Sequence, residues 1–286
     1  MSKTTYFYPN KTLKLGGRIL DLSTPKVMGI LNLTPDSFFD GGKYNSIDSA
    51  LFQADKMIRE GADILDLGGM STRPGALAVT MEEELKRVIP VINAIEKKFG
   101  SIPLSIDTVH AKVVEEAINA GAGLINDISA GRFDEAIIEM AARYQVPYVL
   151  MHMQGTPGDM QQAPVYKNAT EEIFEFLLNK SLELKSKNIH QIIIDPGFGF
   201  GKSVEHNYEL IRNFEVFSKI GVPLLVGISR KSLICKLLKL NPEQALNGTT
   251  ALHAVLLMKG ADILRVHDVK EAIETTKIIS QLQVQK

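Results

Sequence analysis

The residues best able to do chemistry stand where apolar runs break off. In "IIIDPGFGFG" the carboxylate of Asp195 follows an isoleucine run, and Pro196 and Gly197 turn the chain away at once. In "LLVGISRKS" an apolar run ends on Ser229, Arg230, Lys231 and Ser232. "ILRVHD" carries Arg265 and His267 at alternate positions, which share one face of a strand. A cation on an inward face needs an anionic or polar partner, because burying it alone is costly. Asn32, Thr72 with Arg73, Asp107, Asn126 and His152 end or follow other apolar runs.

These side chains sort into two kinds of recognition. A carboxylate accepts two parallel N–H bonds, and an amide both donates and accepts. Asp195 and Asn126 therefore match the edge of an amino-pyrimidinone ring, as in a purine or a pterin. Lys231, Arg265, His267 and Arg73 make a candidate anion cage, and Asn32 offers a neutral oxygen of the kind Mg²⁺ tolerates in a largely hydrated shell. The set suits a flat heterocycle joined to a diphosphate, with Mg²⁺. Lys231 would serve both the ring and the departing anion, while Arg230 turns outward to solvent or a subunit contact.

Residues spread from Asn32 to His267 need a scaffold that gathers them. "EGADILDLGG" (60–69), "AGAGLINDIS" (120–129) and "KGADILRVHD" (259–268) read alike: a helix end, a glycine turn, a short apolar strand, then polar residues. Glycine there stops a helix, and the short Ile/Leu/Val run suits a parallel strand buried on both faces. The same grammar marks 26–32, 104–107, 147–152, 192–196 and 224–229, giving eight candidate strands. Helix starts are signalled between them by Ser46, Thr80-x-x-Glu83, Asn168-x-x-Glu171 and Asn241-Pro242. The expected fold is α/β, a (β/α)8 barrel, with a doubly wound open sheet as the competing arrangement. Residues 5–23 read as an N-terminal β-hairpin turned at Gly16-Gly17, placed outside the barrel. Residues 1–25 are then an extension of a single domain spanning 1–286. In such a barrel the C-terminal strand ends meet in space, which makes the scattered polar residues one site.

Composition narrows the classes of partner. The 286 residues are 45% hydrophobic and 23% charged, with 32 basic and 33 acidic residues and a formal net charge of −1. No global field would gather nucleic acid or an anionic membrane, so anion binding must be local. The one cysteine, Cys235, excludes an intrachain disulfide. No apolar run approaches the roughly 20 residues of a membrane span, and the expectation is a soluble cytoplasmic protein.

Plainer readings attach to several residues. A polar group at a strand end can simply cap the next helix. His152 reads as a satisfied core histidine, and Asp66 as a support for its neighbours. The loop "GFGFGKS" (197–203) suggests a phosphate loop, but it fails G-x-x-x-x-G-K-[ST] because residue 196 is proline. The loops 34–46, with Phe38 and Phe39, and 68–80 read as lids over a flat ligand.

"VMGILNLTPDSFFDGG", "GGMSTRPG", "SIDT", "INDISAG", "VLMHMQGTP", "IIIDPGFGFGK", "GISRKS" and "LRVHDV" occur in that order along nearly the whole chain. In this the sequence resembles the dihydropteroate synthase family. The resemblance implies a Mg²⁺-dependent (β/α)8 homodimer that joins (7,8-dihydropterin-6-yl)methyl diphosphate to 4-aminobenzoate, giving 7,8-dihydropteroate and diphosphate. It implies Asn32 as metal ligand, and Asp107, Asn126, Asp195 and Lys231 on the pterin. Arg265 would stack on the pterin face, and with His267 and Thr72 reach the diphosphate. Phe38, Thr72, Pro74, Phe200, Lys231 and Ser232 would line the aminobenzoate pocket, where sulfonamides also bind. Met70, Phe39 and Gly158 depart from the family pattern. A pterin-binding methyltransferase using methyltetrahydrofolate is the alternative within the same fold, but "SRKS" and "STRPG" argue for a diphosphate substrate. A pterin carrier without catalysis would not need the anion cage.

Overall fold

A computed structural model gives the structure of residues 11–34, 43–70, 79–156 and 164–283. It opens with an antiparallel hairpin, β1 (Thr12–Leu15) and β2 (Arg18–Asp21). The tight turn between them takes two left-handed residues, and Gly16 (φ 52°) and Gly17 (φ 87°) adopt those angles without a Cβ clash. Then come β3 (Lys26–Asn32), α1 (Lys43–Glu60), β4 (Ile64–Gly68), α2 (Met81–Phe99), β5 (Leu104–Asp107), α3 (Ala111–Asn119), β6 (Leu124–Asp127) and α4 (Ala136–Tyr144). The second half holds β7 (Tyr148–Met151), α5 (Ala169–Ser186), β8 (Ile192–Asp195), α6 (Val204–Arg212), β9 (Leu225–Val226), α7 (Ser232–Leu238), α8 (Leu246–Met258), β10 (Ile263–Val266) and α9 (Val269–Gln283).

Strands β3 to β10 pair in parallel in the order β8-β7-β6-β5-β4-β3-β10-β9. A parallel bridge between Ile194 and Leu224 joins the two ends, so the sheet closes as a barrel and the open-sheet alternative falls. Parallel neighbours need crossovers, and the helices supply them on the outer face.

Alternation along each strand sorts side chains into two sets. Leu65, Leu67, Ile106, Ile125, Leu150 and Val226 face outward into the helix-packed core. The first inward residues, Met28, Ile64, Leu124, Val149, Ile193, Leu225 and Ile263, form a separate cluster with Leu13, Leu15, Leu20 and Leu22 of the hairpin segment. The hairpin, expected outside the barrel, plugs its N-terminal end. Without it that apolar layer would meet water, and each fully buried leucine there is worth roughly 1.5–3 kcal/mol. The fit is tight at the turn, since a Cβ on Gly123 would lie 2.6 Å from the Gly16 nitrogen.

Helix starts follow the sequence signals in part. Thr80 and Asn168 cap α2 and α5, accepting from the backbone N–H of Glu83 and Glu171. Helix α1 begins at Lys43, so Ser46 lies inside it. Pro242 opens a single 3-10 turn (Pro242–Gln244), not a full helix. Among the described residues no helix is long and apolar enough to cross a membrane.

Candidate active site

Further along the strands the inner face turns polar. By the same alternation, Asp66, Ser105, Asn126, Asp195 and Arg265 follow the apolar layer, and Asn32, Gly68, Asp107 and His267 lie at the C-terminal rim. Register sets Asn32, Gly68, Asp107 and Asn126 side by side on four adjacent strands, and Met151 beside Asp195. Gly68 lies beside the Asp107 side chain, where a Cβ would make ordinary contact with Oδ2 at 3.7 Å.

Arg265 is held between two carboxylates. Its Nε donates to Asp66 Oδ2 at 2.6 Å and its Nη2 to Asp107 Oδ2 at 2.5 Å, while Asn126 Nδ2 donates to Asp66 Oδ2 at 3.0 Å. Asp66 is fully buried, so its expected supporting role is visible: it orients Arg265 and Asn126 together. Burial pushes the Asp107 carboxyl up to about 7, opposed by Arg265 and helped by Asp66. Arg265 stays cationic, since the carboxylates on either side outweigh its burial. Asp66 Oδ1 and Ser105 Oγ are buried without a protein partner, which suits a site that receives a polar ligand.

Asp195 and Lys231 flank the opposite side of the mouth. A Cβ on Gly227 would lie 3.6 Å from Asp195 Oδ2 and 3.9 Å from Lys231 Nζ, so both groups face this glycine just past β9. Asp195 accepts from the Gly197 N–H at 2.7 Å, leaving its other oxygen toward Lys231. Burial raises the Asp195 carboxyl, partly offset by Lys231. Burial lowers the Lys231 ammonium to about 8, against the pull of Asp195. That ammonium donates to the Phe198 carbonyl and lies 4.3 Å from the centre of the Phe200 ring, a cation–π contact that gives the side chain a fixed course.

The glycine loop has the polarity opposite to a phosphate cradle. Lys202, 2% exposed, donates to the carbonyls of Gly197 (2.8 Å), Phe200 (2.9 Å) and His152 (3.2 Å) and meets His152 Nδ1 at 3.1 Å. The loop thus turns carbonyls, not N–H groups, toward cations. A Cβ on Gly197 would come within 1.9 Å of the His152 carbonyl oxygen, so this glycine serves a close backbone approach. His152 is the satisfied core group expected: burial and then Lys202 lower it to about 2, and the ring is neutral.

Of the remaining sequence candidates, Phe200 is buried at the rim and Ser232 is exposed at the first position of α7. His267 Nδ1 lies 3.0 Å from Ser229 Oγ, two residues before Lys231. Arg230 does not turn outward. Its guanidinium folds back onto Asp268, with Nε to Oδ2 at 2.9 Å and Nη2 to Oδ1 at 2.5 Å. Met70 packs on Val109, Ile128, Met151, Met153 and Phe200, which accounts for an apolar residue there. Thr72, Arg73, Pro74, Phe38, Phe39, Gly158 and most of both loops read as lids lie outside the described residues. Lys202 and Asp268 were not among the sequence candidates, and Ser229 was named there without a role. Asp268 adjoins a predicted site residue in "RVHD", and that adjacency was the available signal.

The family model described as "Pterin binding enzyme" matches residues 28–267. The dihydropteroate synthase of Escherichia coli (strain K12) is 46% identical over 265 residues, covering 92% of this chain and 93% of that one. That of Haemophilus influenzae is 46% identical over 268 residues, covering 93% and 97%. Among solved structures, Yersinia pestis dihydropteroate synthase with a sulfonamide drug complex superposes with a TM-score of 0.89 at 44% identity, over 95% of this chain and 98% of that one. The Xanthomonas albilineans enzyme in complex with 7,8-dihydropteroate gives 0.86 at 39% identity, over 96% and 100%.

Proposed function

The chain belongs to the pterin-binding enzymes and, among them, to the dihydropteroate synthase family, and on that premise we propose how its barrel mouth works. The reaction joins (7,8-dihydropterin-6-yl)methyl diphosphate to 4-aminobenzoate. Asp195 and Asn126 take the ring edge, with Lys231 beside Asp195 on the ring's carbonyl side. Arg265, fixed by Asp66 and Asp107, lies against the ring and, with His267 and Lys231, faces the diphosphate. The methylene C–O bond breaks and its electron pair leaves with diphosphate. The resulting cation spreads into the pterin ring, where the Asp107 carboxylate stabilises it. The aniline nitrogen of aminobenzoate then forms the C–N bond and loses a proton. The observation that carries this reading is the Arg265 guanidinium held between buried Asp66 and nearly buried Asp107 on one side, with Asp195 and Lys231 facing the same glycine, Gly227, on the other.

Asn32 is the residue that would touch Mg²⁺. It lies on the inner face at the end of β3, half-buried, beside Gly68. A single neutral oxygen fits an ion that keeps most of its waters and takes its other ligands from substrate phosphate. When bound, the ion would neutralise the diphosphate. The aminobenzoate pocket would use Phe200, Lys231 and Ser232 with Thr72 and Arg73, and sulfonamides would compete there. The test mixes protein, Mg²⁺ and dihydropterin-methyl diphosphate with and without aminobenzoate, and follows dihydropteroate by chromatography. Product should require aminobenzoate and vanish with a chelator. No product from the complete mixture overturns the activity, and product that survives chelation removes the metal alone.

The ionisations set a pH window. Asp107 is raised and must be ionised, so rate should climb with pH through about 7; Lys231 is lowered and must be protonated, so rate should fall above about 8. The expected kcat/KM for the dihydropterin substrate is a narrow bell, and Lys231→Met should erase its alkaline limb. An alkaline limb unchanged in that variant would take the role from Lys231.

A homodimer is also proposed. Val255 and Met258 on α8, Leu237 and Leu238 on α7 and Ile278 and Leu282 on α9 are exposed apolar residues on neighbouring helices. Sedimentation should give a dimer at assay concentration, and Val255→Asp with Met258→Asp a monomer. A wild-type monomer would end the proposal.

A further inference from the structure

The turn that delivers Lys231 is unusual in its backbone. Lys231 N–H donates to the Ile228 carbonyl at 3.2 Å, closing a turn whose third residue is Arg230. Arg230 has φ 56°, a left-handed angle that a long side chain rarely adopts and that persists only where surroundings impose it. The surroundings are specific. Arg230 N–H donates to Thr249 Oγ1 of α8 at 3.1 Å, Thr249 being 1% exposed. The Arg230 guanidinium grips Asp268 through two bonds, as described above. Beside it, His267 N–H donates to Ser229 Oγ at 3.2 Å, and Ser229 Oγ also meets His267 Nδ1. Residues 229–230 after β9 are therefore tied twice to residues 267–268 after β10.

We propose that Arg230 and Asp268 are positioning residues. Their bidentate ion pair, with the Ser229–His267 bond beside it, holds the β9 loop in its left-handed turn, aims Lys231 across Phe200 into the mouth and keeps it in register with Arg265 and His267. The proposal rests on Lys231 contacting substrate. A half-exposed salt bridge usually contributes little. This one differs because it is forked, because it spans two loops that each carry a substrate-facing residue, and because it fixes a backbone angle the sequence does not favour. Among the described residues, the other charged or titratable groups around the pair are His253 of α8, Glu243 of the 3-10 turn, Glu271 of α9 and Cys235 of α7, whose Sγ donates to the Arg230 carbonyl at 3.8 Å. Each belongs to an element packed against the loop, and none replaces the fork.

The test is a double-mutant cycle on the full-length protein, reading both kcat/KM and the Kd of (7,8-dihydropterin-6-yl)methyl diphosphate. Asp268→Asn keeps size and removes the charge. It should lower kcat/KM about tenfold or more through misplacement of Lys231, with a thermal melting point close to wild type. In the Lys231→Met background the same change should cost less than about twofold, because nothing remains to aim. Equal losses in both backgrounds would mean a structural effect that bypasses Lys231, and no loss in wild type would mean the pair aims nothing; either overturns the proposal. If Asp268→Asn fails to fold, Arg230→Lys, which keeps charge but loses the fork, runs the same cycle. A fully active Lys231→Met protein would sink both this proposal and the reading of Lys231. An inactive one with an unaffected Asp268→Asn protein would sink this proposal alone.

Discussion

Replacing Arg265 with methionine is expected to destabilise the protein by about 3–5 kcal/mol and to abolish turnover. The magnitude follows from what is left behind: breaking a buried ion pair by removing one partner strands the other charge in a low-dielectric site. Here two carboxylates are stranded, Asp66 with no exposure and Asp107 nearly buried, and Asp66 already has one unpartnered oxygen. Asp107 sits above its ordinary value of 3.8 even with Arg265 in place, and loss of the cation raises it further. A carboxyl whose folded-state pKa is raised binds its proton more tightly folded than unfolded. Its contribution is therefore favourable below the unfolded value and is lost as pH rises through the folded one. Below about pH 7 Asp107 holds its proton in both folded proteins and adds nothing to the difference between them, so the deficit of the variant should grow as pH rises above about 7 toward its own higher value. Urea titrations across that range would measure it, and a deficit independent of pH would contradict the account. Arg265→Lys should recover part of the stability but little activity, since an ammonium cannot bridge both carboxylates in the fork geometry.

Asp195→Ala carries the second large effect, and in the opposite balance. Pterin binding should weaken by about 2–4 kcal/mol, because ring N–H groups would be desolvated without an acceptor. Stability should change little, since the carboxylate is itself held against its burial. Among the described residues its side chain also gives up the bond it accepts from the Gly197 N–H. Removing Asp195 also takes away the group that holds the Lys231 ammonium up, so Lys231 should fall below about 8 and the alkaline limb should move to lower pH. Calorimetry showing unchanged affinity for the dihydropterin would sink the ring-edge assignment, and an unmoved limb would sink the coupling to Lys231.

Much of this was legible in the residues because barrel strands obey a simple rule. All but β8 are short apolar runs started by a glycine or proline break, and each is largely buried, so the last polar residue marks the functional end. That reading located Asn32, Asp107, Asn126, Asp195 and Arg265 on the strands that hold them and His267 just past the end of β10. It also located the hairpin and its glycine turn, although not its place. Partners were harder to see. Asp66 and Arg265 are 199 positions apart, and nothing local to either predicts that one oxygen of Asp66 serves both Arg265 and Asn126. The glycine loop misled in the same way, since spacing alone does not tell whether N–H or carbonyl groups face inward.

By itself, then, the sequence determined where the strands lie along the chain, the inward alternation and the chemical types at the strand ends, because local propensity and a two-residue period decide those along the chain. Only the tertiary structure decided which charges neighbour which, that the hairpin seals the apolar end, and that Arg230 folds back to Asp268. Barrel closure and strand stagger set the distances between side chains far apart in sequence, and a left-handed angle at Arg230 comes from its contacts across two loops, not from any preference of arginine.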